Sequence, residues 1–89
     1  MSRIVLNGEK MISEDLAYGY LAEKLDLPDS FDNSLDELWN LMIDVNIPMS
    51  IQIVNTEELL SNLGDLGEEF LQLFEDASAE NDDLNVSIE

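Results

Sequence analysis

The chain has 89 residues, no histidine and no cysteine, and 21 acids against three bases, for a net charge of −18. That length makes one domain, over residues 1–89, with room for a single modest core. The balance excludes imidazole and thiol chemistry, disulfides and thiolate metal sites, and it argues against nucleic-acid or anionic-membrane partners, which need Lys and Arg to neutralise phosphate.

In chain order, Ile4-Val5-Leu6 is a short apolar run that predicts a buried strand over Arg3–Asn7. Asn7-Gly8 follows, and such a pair also suits a hairpin turn back into Lys10-Met11-Ile12. Ser13 is a helix N-cap, with Glu14 and Asp15 at the favourable end of the helix dipole. The helix runs through Leu16, Tyr20, Leu21 and Leu25, and Pro28 ends the segment. Asp29–Asn33 is a loop. Ser34 and Glu37 have capping-box spacing, and the helix they open puts Leu35, Leu38, Trp39 and Met42 on one stripe. The opposite stripe is Asp36, Asn40 and Asp44. Met49–Val54 alternates like a strand. Thr56 is placed as the cap of a short helix through Leu63, with Gly64 and Gly67 as punctuation. Leu66, Phe70, Leu73, Phe74 and Ala77 form the apolar face of a last helix, which Asn81-Asp82-Asp83 breaks. Leu84, Val86 and Ile88 alternate as a final strand.

Strands separated by helices pair in parallel through right-handed crossovers. The fold class expected is therefore α/β, a three-stranded parallel sheet with flanking helices.

The charge is unevenly placed. Arg3, Lys10 and Lys24 are the three bases, and from Leu25 to Glu89 there are 17 acids and none. Such a surface keeps a protein soluble, and it also steers a basic partner toward it. Crowded carboxylates are expected to have raised pKa values, so stability should rise with acid and with salt. The N-terminal residues hold no apolar stretch of signal-peptide kind, and no segment has the length of a membrane span, so a cytoplasmic protein is expected.

Only carboxylates remain for acid–base work, and no cofactor or metal is expected. Two calcium-loop look-alikes fail: Val86 and Ser34 stand where such loops need glycine. The richest segment is Leu27–Met42, which gathers Asp29, Asp32 and Asp36, the amides of Asn33 and Asn40, and the rings of Phe31 and Trp39 on one loop and helix. Acid anchors beside an aromatic suit a protein interface.

These residues also carry a resemblance. Asn7-Gly8-Glu9, then Leu27-Pro28 with Phe31 and Leu35-Asp36-Glu37-Leu38-Trp39, and later Phe70–Ala77 with the alternating end strand, strongly resemble the barstar family of intracellular ribonuclease inhibitors. The likeness spans nearly the whole chain, with Asn55–Gly67 matching only loosely. It implies the fold just described and a mechanism: loop and second helix fill a ribonuclease active site, with acids in the place of RNA phosphates. By that resemblance Asp36 is an interface aspartate, Trp39 an interface-edge tryptophan, and Asp76 an acidic contact shortened from glutamate. Departures are Asn40, where the family has its dominant phosphate-mimicking aspartate, Ser30 for an aromatic, Asp32 for a loop glycine and Ser34 for an asparagine.

The function expected is therefore not catalytic. The chain should bind a basic ribonuclease or related toxin, one to one, as a free monomer that acts as an antitoxin, through Phe31, Asp32, Asn33, Asp36, Trp39, Asn40, Asp44 and Asp76. Asp29, Asp32 or Asp44 would restore the charge that Asn40 lacks. Two other readings are an acidic adaptor on the same fold and a carboxylate metal enzyme.

Overall fold

Three strands, β1 (Ser2–Asn7), β2 (Met49–Val54) and β3 (Leu84–Ile88), lie side by side in that order, all parallel, in the computed structural model, which describes residues 2–89. Leu6 sits opposite Ile53, Ile4 opposite Ile51, and Ile51 opposite Val86. Leu6, Ile51, Ile53 and Leu84 are buried on the inward face. Val5, expected inside a buried run, is 42% exposed. Its neighbours on the outward face explain this: Arg3 donates to Gln52 at 2.7 Å, and Gln52 donates to Glu89, so that side of the sheet is polar and faces solvent. A parallel sheet is more often covered on both faces.

No hairpin follows β1. Gly8–Lys10 is one 3₁₀ turn, with the Asn7 side chain accepting from the Glu9 N–H at 3.0 Å. Gly8 is buried, and a Cβ there would stand on the Asn55 carbonyl oxygen, so the chain is pinned inward and Met11 enters the core. Helix α1 (Glu14–Lys24) begins on Ser13, whose hydroxyl accepts from the Leu16 N–H. It ends before Pro28 has any effect. Asp26 takes a left-handed φ of 53°, and the Leu27 N–H reaches back to the Ala22 carbonyl at 2.9 Å. That is a helix-terminating turn usually given to glycine.

Helix α2 (Leu35–Ile43) buries Leu38 and Met42. Helices α3 (Thr56–Leu63) and α4 (Asp65–Glu80) follow β2. Thr56 is not the cap of α3: Asn55 holds that place in a left-handed conformation, and the Thr56 hydroxyl donates to the Glu89 carbonyl instead. Nor does Gly67 divide the helices. It lies inside α4, buried where that helix crosses the Leu59–Leu60 backbone. The joint is Gly64, at φ 59°. One core takes Leu6, Leu21, Leu38, Ile51, Ile53, Leu59, Phe70, Phe74 and Leu84, so every strand and helix contributes to it. Among the described residues no helix is long and apolar enough to cross a membrane.

Candidate functional site

Helix α2 is amphipathic, and its core stripe decides what its outer stripe shows. With Leu38 and Met42 inward, Asp36, Asn40 and Asp44 face solvent one turn apart. Trp39 lies on the flank, half-buried against the core. Asp44 is the C-cap, where a carboxylate opposes the helix dipole, and the last turn contains no base.

Helix α4 packs along α2. The two are tied at both ends. Near the start, the Tyr18 ring stands between Phe31, 6.0 Å away in the loop before α2, and Phe70, 5.3 Å away edge-on in α4. At the far end, Asn81 follows α4 and donates its side-chain amide to the α2 carbonyls of Met42 and Ile43 and to that of Val45 just beyond. The helices therefore run side by side in the same sense. Asp76 is exposed on α4 and accepts from the Gln72 side-chain amide at 2.9 Å.

The loop before α2 is held by its own polar groups. Ser34 Oγ accepts from the Glu37 N–H at 3.1 Å, as a capping box requires. The reciprocal bond is shifted: Glu37 Oε2 takes the N–H of Asp32 at 3.1 Å. The Ser34 hydroxyl donates to Asp32 Oδ1 at 2.7 Å. Asn33, between them, is exposed at φ 57°. The Ser34 hydroxyl, then Glu37, holds the Asp32 carboxyl below its ordinary value. This reverses the upward shift expected of crowded acids, because hydrogen bonds to the ionised form outweigh the cost of its partial desolvation. Glu37 does move up, chiefly through its side-chain hydrogen bond with Asp32. The Tyr18 hydroxyl is also raised, by burial first and then by Glu14, Glu69 and Asp32.

Of the residues expected in a site, Asp32, Asn33, Asp36, Asn40, Asp44 and Asp76 are all exposed, on one loop and two neighbouring helices. Phe31 and Trp39 are half-buried and join the core. Phe31 is the loop's anchor on Tyr18. Sequence reasoning missed Gln72, although its spacing from Asp76 on one helix face was readable. It also missed the Glu37–Asp32 pair and Asn81. Neither of two clefts in the described residues is lined by this surface. A cleft of about 400 Å³ lies instead on the open sheet face, lined by Arg3, Ser50, Gln52 and Asn85, and another of about 470 Å³ is lined by Val54–Glu58 with Glu89. Among the described residues no group of three or more acids is gathered to hold a metal ion.

Comparison with known proteins adds two findings. The family model described as "Barstar (barnase inhibitor)" matches residues 1–89. A Bacillus subtilis (strain 168) protein named "Putative ribonuclease inhibitor YrdF" is 28% identical over 91 residues, covering 100% of both chains.

Proposed function

The chain belongs to the barstar family of ribonuclease inhibitors, which are not enzymes, and from that premise we propose that it blocks a basic ribonuclease or related toxin by laying the loop before α2, the outer stripe of α2 and Asp76 of α4 over the nuclease active site. The observation that supports this most is the exposed stripe Asp36–Asn40–Asp44 on α2, with Asp76 exposed on the neighbouring α4, in a stretch of chain with 17 acids and no base. A ribonuclease binds a polyanion, so its active site is basic, and this face carries the complementary charge.

Charge and shape divide the work. The net charge of −18 draws the partner in and raises the association rate. Dissociation is set by the close contacts, which rest on two helices and on a loop held by its own hydrogen bonds. Asp36 is the charged anchor. Asn40 offers an amide that hydrogen-bonds to a guanidinium but adds no charge, so Asp32 and Asp44 on either side supply it. The complex is one to one, the free protein is a monomer, and the site of action is the cytoplasm of the cell that makes the nuclease. No nucleic acid is bound.

Asn40 is also the observation that favours a second reading, an acidic adaptor that keeps the fold without a nuclease target. A titration of ribonuclease activity separates the two, with barnase as the basic ribonuclease. The inhibitor reading expects activity to fall as protein is added, and expects Asp36→Ala to need about tenfold more, or about 1.4 kcal/mol of lost affinity. Equal inhibition by Asp36→Ala would remove Asp36 from the interface.

A further inference from the structure

We propose that Asn81 is a positioning residue for the binding face: its side-chain amide holds the end of α2 against α4, and so sets where Asn40 and Asp44 stand relative to Asp76.

The end of α2 needs such a partner. The last carbonyls of a helix have no intrahelical donor, and they are ordinarily met by a glycine-based turn or a nearby cation. Here the last turn contains no base, and the C-cap is an acid, Asp44. The Asn81 Nδ2 meets the carbonyls of Met42, Ile43 and Val45 at 3.1, 3.2 and 2.8 Å. An amide nitrogen has two hydrogens, so three acceptors share them. The partial positive charge of that amide lies where the helix is negative and where Asp44 adds more.

Asn81 is itself fixed from every side. Its N–H bonds to the Ala77 carbonyl at 2.9 Å, in the last turn of α4. Its Oδ1 accepts from the Asp83 N–H at 3.0 Å, and its carbonyl accepts from the Leu84 N–H at 3.0 Å, where β3 begins. The Asp83 carbonyl in turn accepts from the Met49 N–H at the start of β2. One half-buried residue, through its side chain and backbone together, thus joins the end of α2 to α4 and to the start of β3, with Asp83 beside it bonded to β2. An acidic or a shorter side chain does not meet this geometry. Aspartate would set a carboxylate against three carbonyls, and serine or alanine would not span them.

The consequence for binding rests on the inhibitor reading above, while the consequence for α2 stands without it. The experiment therefore has two arms, on Asn81→Ala and on Asn81→Ser as a second small replacement. In the first, amide hydrogen exchange is followed in the free protein. The N–H groups of Asp44 and Val45, bonded to Asn40 and Met42 carbonyls, should exchange about tenfold faster or more, while Leu38 near the start of α2 keeps its rate. In the second, dissociation from barnase should quicken by about tenfold at an unchanged association rate, since no acid is altered. Exchange unchanged at Asp44 and Val45, or quickened by one factor throughout the chain, would overturn the proposal. Wild-type protein that fails to bind barnase would count against the inhibitor reading, and the exchange pattern would still decide the role of Asn81.

Discussion

Glu37 Oε2 accepts the backbone N–H of Asp32 at 3.1 Å, which brings two carboxyls together immediately ahead of α2. Their pKa values part: Asp32 is lowered by the Ser34 hydroxyl and Glu37, and Glu37 is raised by Asp32. The contribution of Asp32 to stability is present above the ordinary aspartate range and fades as pH falls through its lowered value. That of Glu37 is present below the ordinary glutamate range and fades as pH rises through its raised value. Together they favour the singly protonated pair, with the proton on Glu37.

Glu37→Gln imitates that protonated form at every pH. It keeps an acceptor for the Asp32 N–H and offers a permanent donor to the Asp32 carboxylate. Urea melts should find Glu37→Gln more stable than wild type at pH 7, with the gap narrowing toward about pH 4.5, the ordinary range of a glutamate. A gap of the same size at both values would argue against a shared proton.

Phe31 holds the loop through its contact with Tyr18. Phe31→Ala should cost the free protein about 2 kcal/mol, from lost apolar burial and the lost aromatic pair. Denaturant unfolding measures this directly. A residue that served only as a partner contact would leave the stability of the free protein unchanged.

Much of this architecture was legible in the sequence because it depends on local spacing. Ser34 three residues before Glu37 placed the start of α2, and Leu38 with Met42 placed its buried side. Once those were inward, the outer stripe Asp36–Asn40–Asp44 followed from 3.6-residue geometry. What was not legible depends on contacts distant in sequence or on unusual backbone. Nothing near Asn81 indicates that its amide meets carbonyls of residues 42, 43 and 45. The left-handed Asp26 and Asn55 occupy places where glycine would have been the readable signal. The exposure of Val5 depends on one side of the sheet being left open, which no strand reveals by itself.

Asn40 is the departure with the clearest consequence for affinity. It is exposed at the middle of the outer stripe, so Asn40→Asp should leave folding stability within about 0.5 kcal/mol. It should nonetheless tighten binding to barnase by about tenfold or more, with the gain shrinking in high salt. Unchanged affinity would place the centre of the interface elsewhere on the molecule.

The proposed function of this acidic face is to silence a ribonuclease. Its most direct test is to co-purify the protein with its partner from the native source, separate the two, and assay the partner for ribonuclease activity with and without the protein added back. The expected result is an active ribonuclease that loses its activity at one equivalent of the wild-type protein. A partner with no ribonuclease activity, or one whose activity is untouched by an excess of the protein, would contradict it.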